Sequence, residues 1–190
     1  MSREEVVLGG FGGQGIVLAG SIVGEAAAIF DQKYATFTQD YGPEARGGAC
    51  RAQVVISEGD VSFPYVERPT VLAVMSQEAY TRCAPSLKED GILLIDSSMV
   101  KADVEGKKNV FSIPATAMAQ ELGRTAVANI IMLGFLAAVT KIVSLEALKK
   151  AVLNSVPRGT EELNLKALMA GYEYGVKQLK EQHWSIHQSI

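Results

Sequence analysis

Two glycine-rich stretches hold the residues whose types and spacing can do chemistry. The first, Gly10-Phe11-Gly12-Gly13-Gln14-Gly15, carries the spacing Gly-x-Gly-x-x-Gly after a short apolar run and ahead of a helical pattern. Glycines there accept positive φ and let the backbone approach a ligand, while unpaired N–H groups at a helix start, helped by the macrodipole, favour phosphate oxygens. The stretch reads as an anion cradle, and the same glycines also suit a tight strand-to-helix turn packed against a sheet. Gln14 adds an amide that can bond a ligand or a partner backbone, or stand in solvent at the helix start. A dinucleotide site of the usual kind asks for an acid at the end of the next strand, roughly 20 residues on. Asp40 is the candidate, and it lies further along than that.

The second stretch, Tyr41-Gly42-Pro43-Glu44-Ala45-Arg46-Gly47-Gly48, places an acid, a guanidinium and three glycines between two strand patterns. Arg46 has the planar fork that suits carboxylate or phosphate, Glu44 can position it, and Gly47-Gly48 lets a second backbone come close. Tyr41, Glu44, Arg46, Gly47 and Gly48 are therefore candidates for contact with a neighbouring subunit or a substrate entrance. The alternative is a plain turn with its charges in water.

The elements that must position these stretches follow from periodicity. Residues 5–8 predict a strand, and residues 15–30 a helix on Ile16, Ala19, Ile22, Val23, Ala26, Ala27 and Phe30. Further strands are expected at 33–38, 50–57, 70–75, 91–96 and 109–113. Ser76 can cap a short helix that Pro85 stops, and Pro114 suits the first turn of another. Beyond Thr125 the pattern is helical, over 126–140, 144–154 and 160–181. Apolar strands alternating with helices imply an α/β fold: a Rossmann-like, largely parallel sheet with helices on both faces and a C-terminal helical tail. Residues 1–182 read as one domain, helical from about 126, and 183–190 as a tail, frayed or used in a contact.

Composition narrows the partners. A net charge of −3 gives no general field for a phosphate backbone, so nucleic acid is not expected. The two cysteines, Cys50 and Cys83, lie far apart and build neither a disulfide framework nor a zinc or iron–sulfur site, which fits a reducing, cytoplasmic compartment. The apolar run over 126–139 contains Asn129 and falls short of the roughly 20 residues a bilayer needs, so it reads as a buried helix rather than a membrane span. Asn129 would then need a partner, in the backbone or in the glycine loop. Tyr172, Tyr174, Met169 and Leu168 suit core packing or an interface. His183 and His187 lack a third ligand, and no metal site is expected.

Taken together, the 10–15 loop, the 41–48 loop, Asn129 with Leu133-Gly134, and Asn164 with Ala167 and Gly171 resemble the gamma subunit of 2-oxoacid:ferredoxin oxidoreductases, from about Val6 to Gly175. The full Tyr-Gly-Pro-Glu-Ala-Arg-Gly-Gly form is more similar to the 2-oxoglutarate type than to the pyruvate type. The resemblance implies a complex that decarboxylates a 2-oxoacid on thiamine diphosphate and magnesium, passes electrons through iron–sulfur clusters to ferredoxin, and transfers the acyl group to coenzyme A. This chain has no Gly-Asp-Gly start of a thiamine diphosphate motif, so those groups fall to alpha, beta and ferredoxin-like delta chains. The isolated chain is then expected to be inactive, and its half-empty binding surface to favour self-association. Gly10, Phe11, Gly12, Gly13, Gln14 and Gly15 are the candidates for holding coenzyme A. Two other readings stand beside this one: a free-standing dehydrogenase using a nicotinamide or flavin dinucleotide, and a scaffold without a ligand.

Overall fold

The computed structural model of the chain describes residues 3–41, 49–61, 63–103 and 109–187, with only the backbone at Tyr41 and from residue 182 onward. A six-stranded sheet in the order β2-β3-β1-β4-β5-β6 organises it. The central strand β1 (Arg3–Phe11) carries Val6-Val7-Leu8, each 4% exposed or less, because it is flanked by strands on both sides and covered on both faces. β4 (Val71–Val74), β5 (Ile92–Asp96) and β6 (Val110–Ile113) continue in parallel on one side. On the other side β3 (Ala49–Ser57) runs antiparallel to both β1 and the edge strand β2 (Tyr34–Tyr41). The sheet is largely parallel as expected, with β3 the strand that runs against the rest.

The first face is covered by α1 (Ile16–Glu25), which ends in a π-helical turn at Ala26–Phe30, and by α4 (Ala128–Thr140). Cys50, Ala52, Val54 and Ile56 from β3 share one apolar cluster with Ile16, Ala19, Ile22 and Val23. The second face carries α2 (Gln77–Cys83), whose Ala79 and Cys83 join Val7, Leu72, Val74, Leu93 and Ile95. Ser76 caps α2 by accepting the Ala79 N–H at 3.2 Å, as its residue type predicts. A short α3 (Ala115–Glu121) follows Pro114.

The helical C-terminal part is built into the core. Every residue of α4 from Ala128 to Ala138 is buried, because the helix lies between the sheet and α6 (Glu161–His187). Ile130, Ile131, Leu133, Phe135 and Leu136 are each 1% exposed or less. At about 1.5–3 kcal/mol per buried side chain, this packing rather than capping holds α4; its N-cap, Val127, contributes no side-chain bond. The α4–α6 crossing is close enough to require glycine: a Cβ on Gly134 would run into the Leu168 carbonyl oxygen, and one on Gly171 into that of Ile131. Asn164 secures the start of α6 by donating to the Thr160 carbonyl at 2.8 Å. Tyr174 packs edge-on to Phe135 at 6.0 Å between ring centroids. α5 (Leu145–Ser155) is capped by Ser144, whose own N–H and hydroxyl both donate to Asp31. α6 runs on to His187, past the expected end at 181; the side chains of His183 and His187 and all of residues 188–190 lie outside the described residues. Among the described residues no helix is long and apolar enough to cross a membrane.

Candidate functional site

β1 and β4 are parallel neighbours whose chains leave in opposite directions, β1 into α1 on one face and β4 into α2 on the other. Such a switch point opens a crevice at the carboxyl ends of the strands, where α/β sheets bind ligands. The glycine loop lies there. Gly10 and Phe11 are the last residues of β1 rather than part of the turn, which closes through the Gln14 N–H donating to the Phe11 carbonyl at 3.2 Å. Gly12 and Gly13 are exposed, Gly13 has φ 101°, and a Cβ on Gly13 would meet nothing within 4 Å. The turn therefore faces open space.

Gln14 is occupied within the chain. Its Oε1 accepts the Phe11 N–H at 2.9 Å and its Nε2 donates to the Met75 carbonyl at 2.7 Å, so one side chain ties the loop after β1 to the residue after β4. Both bonds are to the backbone of its own chain. Gly15 stands in the left-handed region (φ 71°, ψ 28°) as the N-cap of α1, and the space where a Cβ would project is filled by Asn129 Nδ2. Asn129, 2% exposed, donates to the Gly15 carbonyl at 3.0 Å, which is the glycine-loop partner its burial demanded. No side chain caps α1 and no acid sits in its first turn. The leading N–H groups of Ile16, Val17 and Leu18 therefore have no intrahelical acceptor.

Beside the last residues of β1, on the α2 side, a pocket of about 200 Å³ is lined by Asp40, Ala49, Cys50, Arg51, Ala79, Arg82 and Cys83. Asp40 does not serve the glycine loop. β3 stands between its strand and β1, and its Oδ2 takes both Nη2 (2.7 Å) and Nε (3.0 Å) of Arg51. The ribose acceptor of the dinucleotide reading is therefore neither adjacent nor unpaired. Burial pushes both thiols up, with Asp40 adding to the effect at Cys50 and Arg51 and Arg82 partly offsetting it at Cys83, so neither is a thiolate nucleophile near neutral pH. Glu44, Arg46, Gly47 and Gly48 lie outside the described residues, as does the Tyr41 side chain. The flanking Tyr41 and Ala49 stand at the same sheet end as Phe11, since Ala49 pairs with Phe11 and Tyr41 with Cys50.

Two residues of this region escaped the sequence reading. Arg51 faces Asp40 across the β2–β3 ladder, a cross-strand charge pair that the two strand patterns carried once their antiparallel pairing is known. Asp96 ends β5 at the same side of the sheet, fully buried, accepting from the Ser98 N–H and from the N–H and hydroxyl of Thr116. An acid closing an apolar strand was the available signal, and its bonds make it a structural clamp between β5 and α3.

The family model described as pyruvate ferredoxin/flavodoxin oxidoreductase matches residues 5–174. The 2-oxoglutarate synthase subunit KorC of Methanocaldococcus jannaschii is 50% identical over 174 residues, spanning 90% of this chain and 93% of that one. The crystal structure of a keto/oxoacid ferredoxin oxidoreductase gamma subunit from Geobacter sulfurreducens has a TM-score of 0.82 and 42% identity, covering 92% of this chain and 99% of that one. The ketoisovalerate oxidoreductase subunit VorA of Methanothermobacter marburgensis is 34% identical over 92% of this chain but only 37% of its own length.

Proposed function

The chain belongs to the pyruvate ferredoxin/flavodoxin oxidoreductase family as a gamma-type subunit of a multisubunit oxidoreductase, and from that premise we propose that its complex converts 2-oxoglutarate, coenzyme A and oxidised ferredoxin to succinyl-CoA, CO2 and reduced ferredoxin. The substrate follows the 2-oxoglutarate synthase relative, at 50% identity. Alpha, beta and ferredoxin-like delta chains supply thiamine diphosphate, magnesium and the iron–sulfur clusters. The cysteines here do not fit an iron–sulfur cluster: Cys50 and Cys83 are packed in different apolar clusters with their thiols pushed up. No step through them is assigned to this chain, which is inactive alone. The complex works in the cytoplasm, and one domain over residues 1–182 carries this chain's part.

That part is to hold coenzyme A. The observation that carries it is the exposed Gly12–Gly13 turn at the switch-point crevice, ahead of a helix start that no side chain caps. Phosphate oxygens fit such a place, because the N–H groups and the helix dipole favour negative charge and glycine lets it come close. Gln14 and Asn129 hold the turn open from below without occupying it. In this reading Phe11 is assigned to an apolar part of the ligand, and Arg46, by its chemistry, to contact with the neighbouring subunit or the site entrance. Bound coenzyme A supplies the thiol that takes the acyl group; the residues of this chain only bind and orient the carrier.

The test is Gly12→Val in the reconstituted complex. The KM for coenzyme A rises about tenfold or more, as expected for a loss near 1.4 kcal/mol, while decarboxylation, measured as CO2 release without coenzyme A, persists. An unchanged coenzyme A dependence in correctly assembled enzyme refutes the assignment. Arg46→Ala weakens assembly or coenzyme A turnover; if both stay at wild-type levels, the 41–48 loop is only a turn.

A further inference from the structure

The pocket between α2 and the β2–β3 ladder holds more hydrogen-bond donors than its own ion pairs use. Two guanidiniums line it, Arg51 from β3 and Arg82 from α2, against one carboxylate, Asp40. Arg51 gives Nε and Nη2 to a single oxygen, Asp40 Oδ2, at 3.0 and 2.7 Å, and its Nη1 has no acceptor among the described residues. Arg82 sets Nη2 against Glu78 Oε1 at 3.0 Å, one turn back along α2, and its remaining donors have no acceptor there either. Glu78 itself stands outside the lining. The Cys83 thiol, pushed up by burial, is partly brought back by both Arg51 and Arg82, so the two charges bear on one wall of the cavity. The fold needs neither pair: all four side chains are about half exposed, and surface pairs of this kind add little to stability.

The pocket adjoins the glycine turn. Ala49 and Cys50 of its lining pair with Phe11 and Gly10, the last residues of β1, and Arg51 pairs with Gly9. Gly9 precedes Gly12 by three positions, about 10 Å of chain at about 3.3 Å per residue. A cavity of about 200 Å³ is smaller than the roughly 300–1,000 Å³ that takes a whole small molecule, so it suits one group of a ligand held next door. Coenzyme A has such a group. Its 3′-phosphate is joined through a single ribose to the pyrophosphate, so a carrier held by pyrophosphate at the turn keeps its third phosphate one sugar away. A phosphate monoester brings about −1.5 to −2 charge and three acceptor oxygens, enough to take a donor from each guanidinium; a carboxylate brings two oxygens and a single charge.

We propose that Arg51 and Arg82 form a subsite for a ribose phosphate monoester, the 3′-phosphate of coenzyme A, through which the complex distinguishes coenzyme A from its dephospho form. This deepens the coenzyme A reading above and rests on it. The phosphate takes the donors that Asp40 and Glu78 leave unused, so neither ion pair has to break.

The test is steady-state turnover of the assembled complex at saturating 2-oxoacid and ferredoxin, with coenzyme A or dephospho-coenzyme A as the acyl acceptor. The wild type uses coenzyme A with a kcat/KM about tenfold or more above that for the dephospho form, as hydrogen bonds to a charged group support. Arg51→Gln and Arg82→Gln each lower kcat/KM for coenzyme A about tenfold and leave that for dephospho-coenzyme A within about threefold, by the same scale; a purely structural role would lower both. Arg82→Lys keeps part of the preference, because it retains the charge without the fork. An unchanged preference in the assembled arginine variants overturns the proposal, and so does an equal loss for both carriers. A wild type that does not distinguish the carriers, yet responds to inorganic phosphate through Arg82, assigns the pocket to a free anion and overturns it as well. Gly12→Val affects both carriers alike, since both carry the pyrophosphate. That result beside an untouched arginine preference sinks the pocket alone, whereas unchanged coenzyme A dependence in Gly12→Val and in both arginine variants sinks the coenzyme A reading with it.

Discussion

Replacing Gln14 with alanine removes both ends of the bridge across the switch-point crevice. The Phe11 N–H loses its acceptor at 2.9 Å and the Met75 carbonyl its donor at 2.7 Å. At about 0.5–1.5 kcal/mol net per hydrogen bond, the two together are worth about 1–3 kcal/mol. The site is only part-buried, so water re-satisfies some of the loss and the lower half of that range, about 1–2 kcal/mol, is expected. At 1.4 kcal/mol per factor of ten, amide exchange at Phe11 through local opening speeds up about tenfold. Gln14→Glu separates the two ends. It keeps an acceptor for Phe11 but sets a carboxylate against the Met75 carbonyl and adds negative charge beside the proposed phosphate site. It therefore raises the coenzyme A KM of the assembled complex more than alanine does. Urea unfolding of the chain gives the stability change, and hydrogen exchange followed by NMR gives the local opening. A stability within about 0.3 kcal/mol of wild type together with an unaltered Phe11 exchange rate refutes the bridge.

Asn129→Leu keeps the volume and deletes the bond to the Gly15 carbonyl, so the chain loses about 1–3 kcal/mol in chemical denaturation and the 12–15 turn exchanges faster. Gly134→Ala forces α4 and α6 apart, because the new methyl meets the Leu168 carbonyl; overpacking of this kind costs about 1–3 kcal/mol, read as a lowered Tm. Glu5 makes stability depend on acid. Burial works against its charge, and the Arg3 guanidinium with the Glu67 and Arg68 amides outweighs that. Its folded pKa lies below the ordinary value of 4.5, so its contribution is complete above that value and is lost as pH falls through the lower, folded one. Urea midpoints of Glu5→Gln and wild type therefore converge as the solution is acidified below 4.5.

Local chemistry was legible in the sequence wherever one element decides it. Ser76 and Ser144 cap the helices their positions promise, and the apolar strands end within a few residues of their expected bounds. Asn129 was legible for a different reason: an amide in an apolar helix must find a partner, and the nearest class of partner was named. What stayed hidden depends on long-range packing. Gly9-Gly10 reads as the end of a strand, yet both lie within β1; a Cβ on Gly9 would come to 3.0 Å from Ala79 Cβ, so glycine there answers to α2 rather than to a turn. The insertion of β3 between β1 and β2 is a matter of pairing order, which periodicity along one strand does not encode, and it is what removes Asp40 from the glycine loop. Met75 as the partner of Gln14, and Arg3 as the anchor of Phe63 and Tyr65, are both about sixty residues distant along the chain and left no local trace.

Coenzyme A contact at the Gly12–Gly13 turn is tested most directly by hydrogen exchange over residues 10–18 of this chain in the assembled complex, with and without coenzyme A. Protection is expected to be confined to that segment and to be reduced for dephospho or truncated carriers that lack the bound phosphate. Equal exchange with and without saturating coenzyme A, in a complex that still forms acyl-CoA, contradicts it.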